Sequence, residues 1–548
     1  MSSTRIIFAL ALALMASARP RDRFQELSHA NATHERLGTV HFATSCNAAA
    51  QTEFDRAVAL LHSFEFSRAI AGFNAALKLD NTCAIAYWGI ALSQWSNPFA
   101  VGLKDKSQLQ AGRASSQLGI DLGAKTARER SYLTAVAALY GNFETTPQRA
   151  RLLAYRDSME ALASKYPADD EAQIFYALSI SASEDPADKT YAGRLKAGAI
   201  LEKLFARQPD HPGLAHYIIH TYDVPPLAPR ALEAARRYSQ IAPDAPHALH
   251  MPSHTFTRTG YWQDSIDSNL AAAASAKRDR ETAEELHASD YLVYAYLQSG
   301  QDNAANRLLA SLPEISSRFD PAVVVGGAAS PSVAYFALAA IPARVALEHG
   351  DWRQASQLLP KQSPFPHTDA MTWFARGLGA ARLGQIQLAE ESTSSLQQIR
   401  ERLQNSGETY WALQVHIAES EVRAWSAYAA GRHDDALRQL ESAAQLEDGT
   451  EKSAVTPGPL APARELLGEM LLLDNQPAPA LAQFQATLKK EPGRFRSLYG
   501  AAQAAKLAKH PDLTRTYYLQ LTKTCQHADN PARPELREAT AFLAQTNP

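Results

Sequence analysis

The sequence predicts an all-α protein, a helix-turn-helix solenoid of about ten to twelve imperfect units. Three observations predict it. Alanine and leucine are abundant and β-branched runs are few, which favours helices. A turn signal recurs, a glycine followed five residues later by a small residue that opens a second helix: Gly260/Ser265, Gly300/Ala305, Gly350/Ala355, Gly384/Ala389 and Gly431/Ala436. Phe64/Ala69 and Asn475/Ala480 repeat it with the glycine replaced. Successive signals in the longest run lie roughly 34 to 50 residues apart, the period of stacked helical hairpins.

A chain of 548 residues is too long for one compact core, which agrees with an array. Its net charge of −3 leaves no basic footprint for nucleic acid or an acidic membrane surface. In chain order, residues 1–18 read as a secretory signal. Arg5 precedes an apolar run over 6–16, and Ala16-Ser17-Ala18 fits a cleavage site. The run is short for a bilayer span, so export without stable membrane insertion is expected, to a periplasmic or extracellular location. Residues 19–46 read as an extended arm, 47–317 as an N-terminal array, 333–445 as middle repeats and 464–548 as C-terminal repeats. Between these, 318–332 and 446–463 read as loop insertions by their Gly, Pro and Ser content, as does 97–127 inside the first array. An exported chain permits disulfides. Cys46 and Cys83 lie one repeat period apart, each just before a first helix, and are predicted to pair; Cys525 is left free and buried.

Details sharpen the architecture. Gly468, Ala480, Phe484 and Pro492 fall on the spacing of the tetratricopeptide pattern, as do Ala69, Phe73 and Ala76. Proline follows the small residue by twelve at Ala197/Pro209, Ala231/Pro243 and Ala480/Pro492. Small residues let two helices approach, an aromatic fills the gap, and proline stops the helix. Over about 47–545 the chain therefore resembles the tetratricopeptide superfamily. The resemblance implies a concave groove lined by first helices. It implies no activity.

Which residues face that groove follows from the same resemblance. Fifteen positions before Ala231, Ser265 and Ala305 stand His216, His250 and Asp290; eleven before stand His220, His254 and Tyr294. On a helix, an i,i+4 pair of histidines shares one face and offers two ligands to one ion. Neutral imidazole suits copper, iron or zinc, and a carboxylate adds a hard oxygen. The predicted metal set is His216, His220, His250, His254 and Asp290. HYIIH and HMPSH lack the glutamate of a zinc-protease motif. A lone groove histidine is more often a hydrogen-bonding or stacking residue, so this bland reading stands beside the metal one. His211, His247 and His287 read as outer residues or caps, and Tyr217 and Tyr291 as packing. Pro252 is expected to bend its helix, which either re-aims His250 and His254 or is simply tolerated as strain.

Asp223, Arg258, Tyr294 and Arg344 fall on the same face and read as groove or substrate residues. Arg344 would either hold a substrate carboxylate or pair with Asp223 or Asp290. Glu465 and Glu469 would be surface carboxylates or face the histidines across the groove. His62, Trp88 and Trp95 would line the opening repeats as groove or packing residues. No phosphate-binding loop, nucleophile elbow or CxxC occurs. The phrases HPGLAHYIIHTYD, HALHMPSHTFTR and VTPGPLAPARE resemble a group of exported bacterial tetratricopeptide proteins, which implies export and a shared His-rich segment. Two functions remain: a transition-metal protein, which is a metalloenzyme if it transforms a small molecule or peptide in the groove, or a non-catalytic scaffold that binds a peptide there.

Overall fold

The computed structural model describes residues 35–545 apart from 101, 324 and 325. The predicted signal and residues 19–34 of the arm lie outside them. The described residues from Leu37 onward form one compact unit. Among the described residues there are helices, turns and no strand, and no helix is long and apolar enough to cross a membrane.

The turn signal has a direct physical basis. Gly260, Gly300, Gly350, Gly384 and Gly431 take φ between 62° and 78°, and Phe64 and Asn475 take 59° and 55°. Every one of these turns needs a left-handed residue between two helices, which glycine supplies most readily. The small residue five on then meets the preceding helix: Ala69, Ser265, Ala305, Ala355, Ala389, Ala436 and Ala480 are all fully buried. Consecutive helices pack as hairpins throughout, for example Ala48–His62 on Phe66–Leu79 and Trp262–Asp279 on Thr282–Gln298. The aromatic gap-filler is visible at Phe73, against Gly89, and at Phe484, against Gly468 and Gly500.

The arm joins distant repeats. Phe42 is buried among the rings of Phe54, Trp88 and Tyr132, and Thr39 N–H donates to Asp210 O at 2.9 Å. Cys46 is bonded to Cys83 and Cys525 is free and buried. A cross-link closing a 37-residue separation restricts the unfolded chain. Replacing Cys46 and Cys83 by serine is expected to cost about 4 kcal/mol in a denaturant titration by the chain-entropy relation. A loss below about 1 kcal/mol would remove that role.

One loop expectation is corrected. Residues 106–122 are a helix, Lys106–Leu122, capped by Asp105 on Ser107 N. The glycines that suggested a loop are packing positions: a Cβ on Gly112 would lie 2.1 Å from Tyr140. Helices do give way to loops over 317–323, 326–330 and 449–462.

The groove is not open. Later repeats curl back onto earlier ones. Leu103 N–H donates to Glu408 (2.9 Å), Lys189 to Glu451 (2.7 Å), Trp262 Nε1 to Gly493 O (3.2 Å) and Asn303 N–H to Asp529 (2.7 Å). The loop 449–462 thereby lies against the inner face of the His-bearing helices.

The last helix, Pro534–Gln545, is held through Glu538. Its carboxylate accepts from Tyr499 (2.7 Å), Gln503 (2.9 Å), Tyr518 (2.9 Å) and Lys506 (3.1 Å). Burial opposes ionisation, but these donors hold the carboxyl down to about 2. The unfolded chain protonates first, near the ordinary glutamate value of about 4.3. This contribution is therefore complete above that value and is lost as pH falls toward 2. Hydrogen-exchange protection of the last helix should drop between pH 5 and pH 3, and Glu538→Gln should show the low protection already at pH 5.

Candidate metal centre

Two adjacent sets of three histidines occupy the closed interior. In the first, His216 and His220 come from helix Pro212–Thr221 and His247 from Pro246–His250. In the second, His250 ends that short helix, His254 lies in Pro252–Thr259 and His287 in Thr282–Gln298. Within each set, one ring nitrogen per residue lies within 4.8 Å of the others. The sets touch: ring centroids are 5.8 Å apart for His220 and His254, and 5.9 Å for His247 and His250. The six residues are 0–6% exposed.

Pro252 divides the ligands. The chain from 246 to 259 is two helices meeting at Met251, because proline has no N–H to continue the ladder. His247 thus joins the preceding hairpin's pair, while His250 and His254 join His287.

Hydrogen bonding fixes the tautomers. Asn269 Nδ2 donates to Ser265 O (2.8 Å), so its Oδ1 faces His250 Nδ1 at 2.7 Å and accepts from it. His254 Nδ1 donates to Asp223 Oδ2 at 3.1 Å. The Nε2 atoms of His250 and His254, 3.0 Å apart, are then both bare acceptors. Two lone pairs at that distance repel unless a cation lies between or beside them. In the first set, His216 Nδ1 donates to His62 O (2.5 Å), leaving Nε2 bare. His216 Nε2, His220 Nε2 and both nitrogens of His247 are buried without a hydrogen-bond partner. Each such orphan costs about 1–3 kcal/mol unless something satisfies it.

Electrostatics keeps the rings neutral. Burial pushes His216 and His287 down to about 3, and His220, His247 and His250 well below the usual value, with neighbouring histidines adding to the effect. Burial also lowers His254, although Asp223 opposes it. Burial works against ionisation of Asp223, but Lys452, Arg258 and His254 hold its carboxyl well below the carboxylate range. Carboxylate, imidazole and bare Nε2 in line is the arrangement by which an outer carboxylate orients a metal-ligating histidine.

A third group, His62, Glu171 and His211, has the spacing of a ligand set but no free nitrogen. His62 bonds Tyr217 OH and Glu171 at 3.0 Å each. His211 bonds Glu171 at 3.0 Å and caps Leu214 N at 3.4 Å. This satisfied network is structural, and it presents the His62 carbonyl to His216.

The structure separates the predicted residues. His216 and His220 lie in one set, His250 and His254 in the other. Asp290 is corrected: both its oxygens are held by Arg344 (2.7 and 3.1 Å), so they are not offered to an ion. Arg344 takes the pairing alternative rather than an open position, and also donates to Gly458 O and Thr456 Oγ1. Asp223 and Arg258 bond each other at 2.8 Å. Tyr294 sits between Glu491 and Arg494, at 3.4 Å from each. Glu465 and Glu469 are engaged by other side chains: Arg494 and Ser497 hold the first, which is fully buried rather than a surface carboxylate, and Arg382 and Arg496 hold the second. His62, Trp88 and Trp95 are buried packing residues.

His247 and His287, read as outer residues, are the third member of each set. The signal was present in HALHMPSH, where His247 and His250 stand one turn apart ahead of the proline. The roof was not legible. Tyr291, read as packing, donates its hydroxyl to Ala454 O (3.1 Å) and Thr456 O (3.2 Å), holding 454–456 over the second set. Phe64 and Phe99 wall the first, with centroids 4.3 Å from His216 and 4.1 Å from His220.

No family model and no curated protein matches this chain. Among solved structures it is similar to a human IFIT1 dimer with m7Gppp-AAAA, at 12% identity over 88% of this chain and 96% of that one, TM-score 0.34. It is also similar to the APC/C hetero-tetramer Cut9–Hcn1, at 14% identity over 90% and 89%, TM-score 0.34, and to yeast Tom70, at 12% over 91% and 95%, TM-score 0.26. Likeness this distant says nothing about ligands. The chain's own hairpins establish its architecture. It is an all-α array of helix-turn-helix hairpins.

Proposed function

We propose that the protein is an exported metalloprotein whose six buried histidines hold a pair of transition-metal ions, one per set. The observation that carries this is the pair of bare Nε2 atoms of His250 and His254 at 3.0 Å, with both Nδ1 positions committed to acceptors. Four further orphaned nitrogens beside them make the same demand. Neutral imidazoles without thiolate suit copper, iron or zinc. Such a pair supplies Lewis acidity or electron transfer at a small molecule, the chemistry of a metalloenzyme. The chain's own part is to fix the ligands through Asp223, Asn269 and the His62 carbonyl, and to keep bulk water out with 451–458. The apolar start at 6–16 and the Cys46–Cys83 bond support a periplasmic or extracellular location. A peptide scaffold that uses these histidines needs the roof displaced, which disfavours that alternative.

Elemental analysis of untagged protein, never exposed to chelator, tests the reading. About two equivalents of copper, iron or zinc per chain are expected. A metal-free chain that also fails to take up any of the three on reconstitution would refute it.

A further inference from the structure

A cavity of about 180 Å³ lies beneath the loop 449–462, beside the metal centre; Arg258, from the helix that carries His254, reaches its wall, and the rest of the lining comes from other segments. Phe336, Met371, Phe374 and Trp411 give it an apolar side. Its polar side is unbalanced in a specific way. Arg258 and Lys452 are engaged by Asp223, Arg344 by Asp290, and Arg464 and Lys490 by Asp448. Glu451 is held by Lys189 and Tyr191, and Glu447 accepts from Ala463 N at 3.0 Å. Glu421 is the exception. It is 3% exposed, and its Oε1 is buried with no hydrogen-bond partner. Gln414 Nε2, on the same wall, also lacks one.

An unpartnered buried carboxyl costs stability until a donor or cation reaches it. Burial first, and then Glu447, push the Glu421 carboxyl well above its ordinary range, so nothing in the fold itself favours its charge. An anion would find every cation on the wall already engaged. A bare metal ion would leave the aromatic side unused, whereas an organic cation uses both, since its charge is also attracted to ring faces. The volume is below the ~300–1,000 Å³ of pockets for drug-sized ligands, which limits the guest to about one ring.

We propose that this cavity binds a small organic ammonium ion, its charged group on Glu421 and its apolar body against Phe336, Phe374 and Trp411. The site goes beyond the metal reading and does not need it.

Calorimetric titration of the full chain with 2-phenylethylammonium tests it, with phenylacetate as the matched anion, in metal-loaded and chelator-treated protein. Saturable one-site binding of the ammonium is expected in both preparations, with none for phenylacetate and at least tenfold weaker binding in Glu421→Gln. Absent binding, equal binding of phenylacetate, or unchanged affinity in Glu421→Gln overturns the proposal. So does binding confined to the metal-loaded form, which would place the amine on the ions. If Glu421→Gln does not fold, thermal unfolding of the natural chain decides. A rise in Tm with the ammonium but not with phenylacetate supports the site; no selective rise overturns it.

Discussion

Protein carrying His254→Ala is expected to retain about one metal equivalent where the natural chain retains about two. The substitution removes a ligand of the second set and leaves Asp223 without its imidazole partner. The first set keeps His216, His220 and His247 and should keep its ion. Asp223→Asn leaves all six rings in place; it weakens the orientation of His254 and also removes the counter-charge of the buried Arg258 and Lys452. An outer partner of this kind is worth about 10–100-fold in metal affinity, so this variant should load fully but lose metal sooner to a competing chelator. Stability follows occupancy. An ion at 1,000 times its Kd stabilises the folded state by about 4 kcal/mol, so chelation should lower Tm clearly in the natural chain. The drop should shrink in His254→Ala and vanish when His216 and His220 are also replaced. Equal metal content in the natural and His254→Ala chains would contradict the ligand assignment.

Arg344→Met is expected to be strongly destabilising. Asp290 is fully buried, and burial raises its carboxyl even with Arg344 beside it. Removing one partner of a buried pair leaves an uncompensated charge and costs about 3–5 kcal/mol. The guanidinium also donates to Gly458 O at 2.9 Å and Thr456 Oγ1 at 2.8 Å, so the roof loses two anchors. Denaturant titration should show the stability loss, and limited proteolysis should cut within 449–462 sooner. Adding Asp290→Asn should recover part of the stability, because the orphaned charge is gone, but should not restore the roof. A loss under about 1 kcal/mol would mean that Asp290 is solvated or paired by another route.

The same pair shows where sequence reading stops. The hairpins were legible because each turn needs one left-handed residue and one small one five positions on. Even Phe64 and Asn475 obey that local rule without glycine. The i,i+4 spacing also placed His216 with His220, and His250 with His254, because helix geometry alone decides it. What failed depended on distant partners. Asp290 stands in the register of His216 and His250, and helix spacing could not choose between a ligand role and the pairing with Arg344, 54 residues on, that the structure shows. His247 looked like a cap until the break at Pro252 turned it toward the preceding hairpin. The 106–122 segment looked like a loop because its glycines serve packing, Gly112 against Tyr140 and Gly119 against Leu133. The closing of the groove rests on pairs such as Tyr291 with Ala454, 163 residues apart, which no repeat period encodes.

Everything proposed for the interior reduces to whether cations sit among the six imidazoles. Anomalous diffraction from crystals of untagged protein, collected on both sides of the absorption edge of the metal found by elemental analysis, measures this most directly. The account predicts two edge-dependent peaks, one within ligand distance, about 2.0–2.1 Å, of nitrogens from His216, His220 and His247, the other likewise among His250, His254 and His287. A map with no peak there, or with its peak at surface histidines such as His433 or His527, would contradict it.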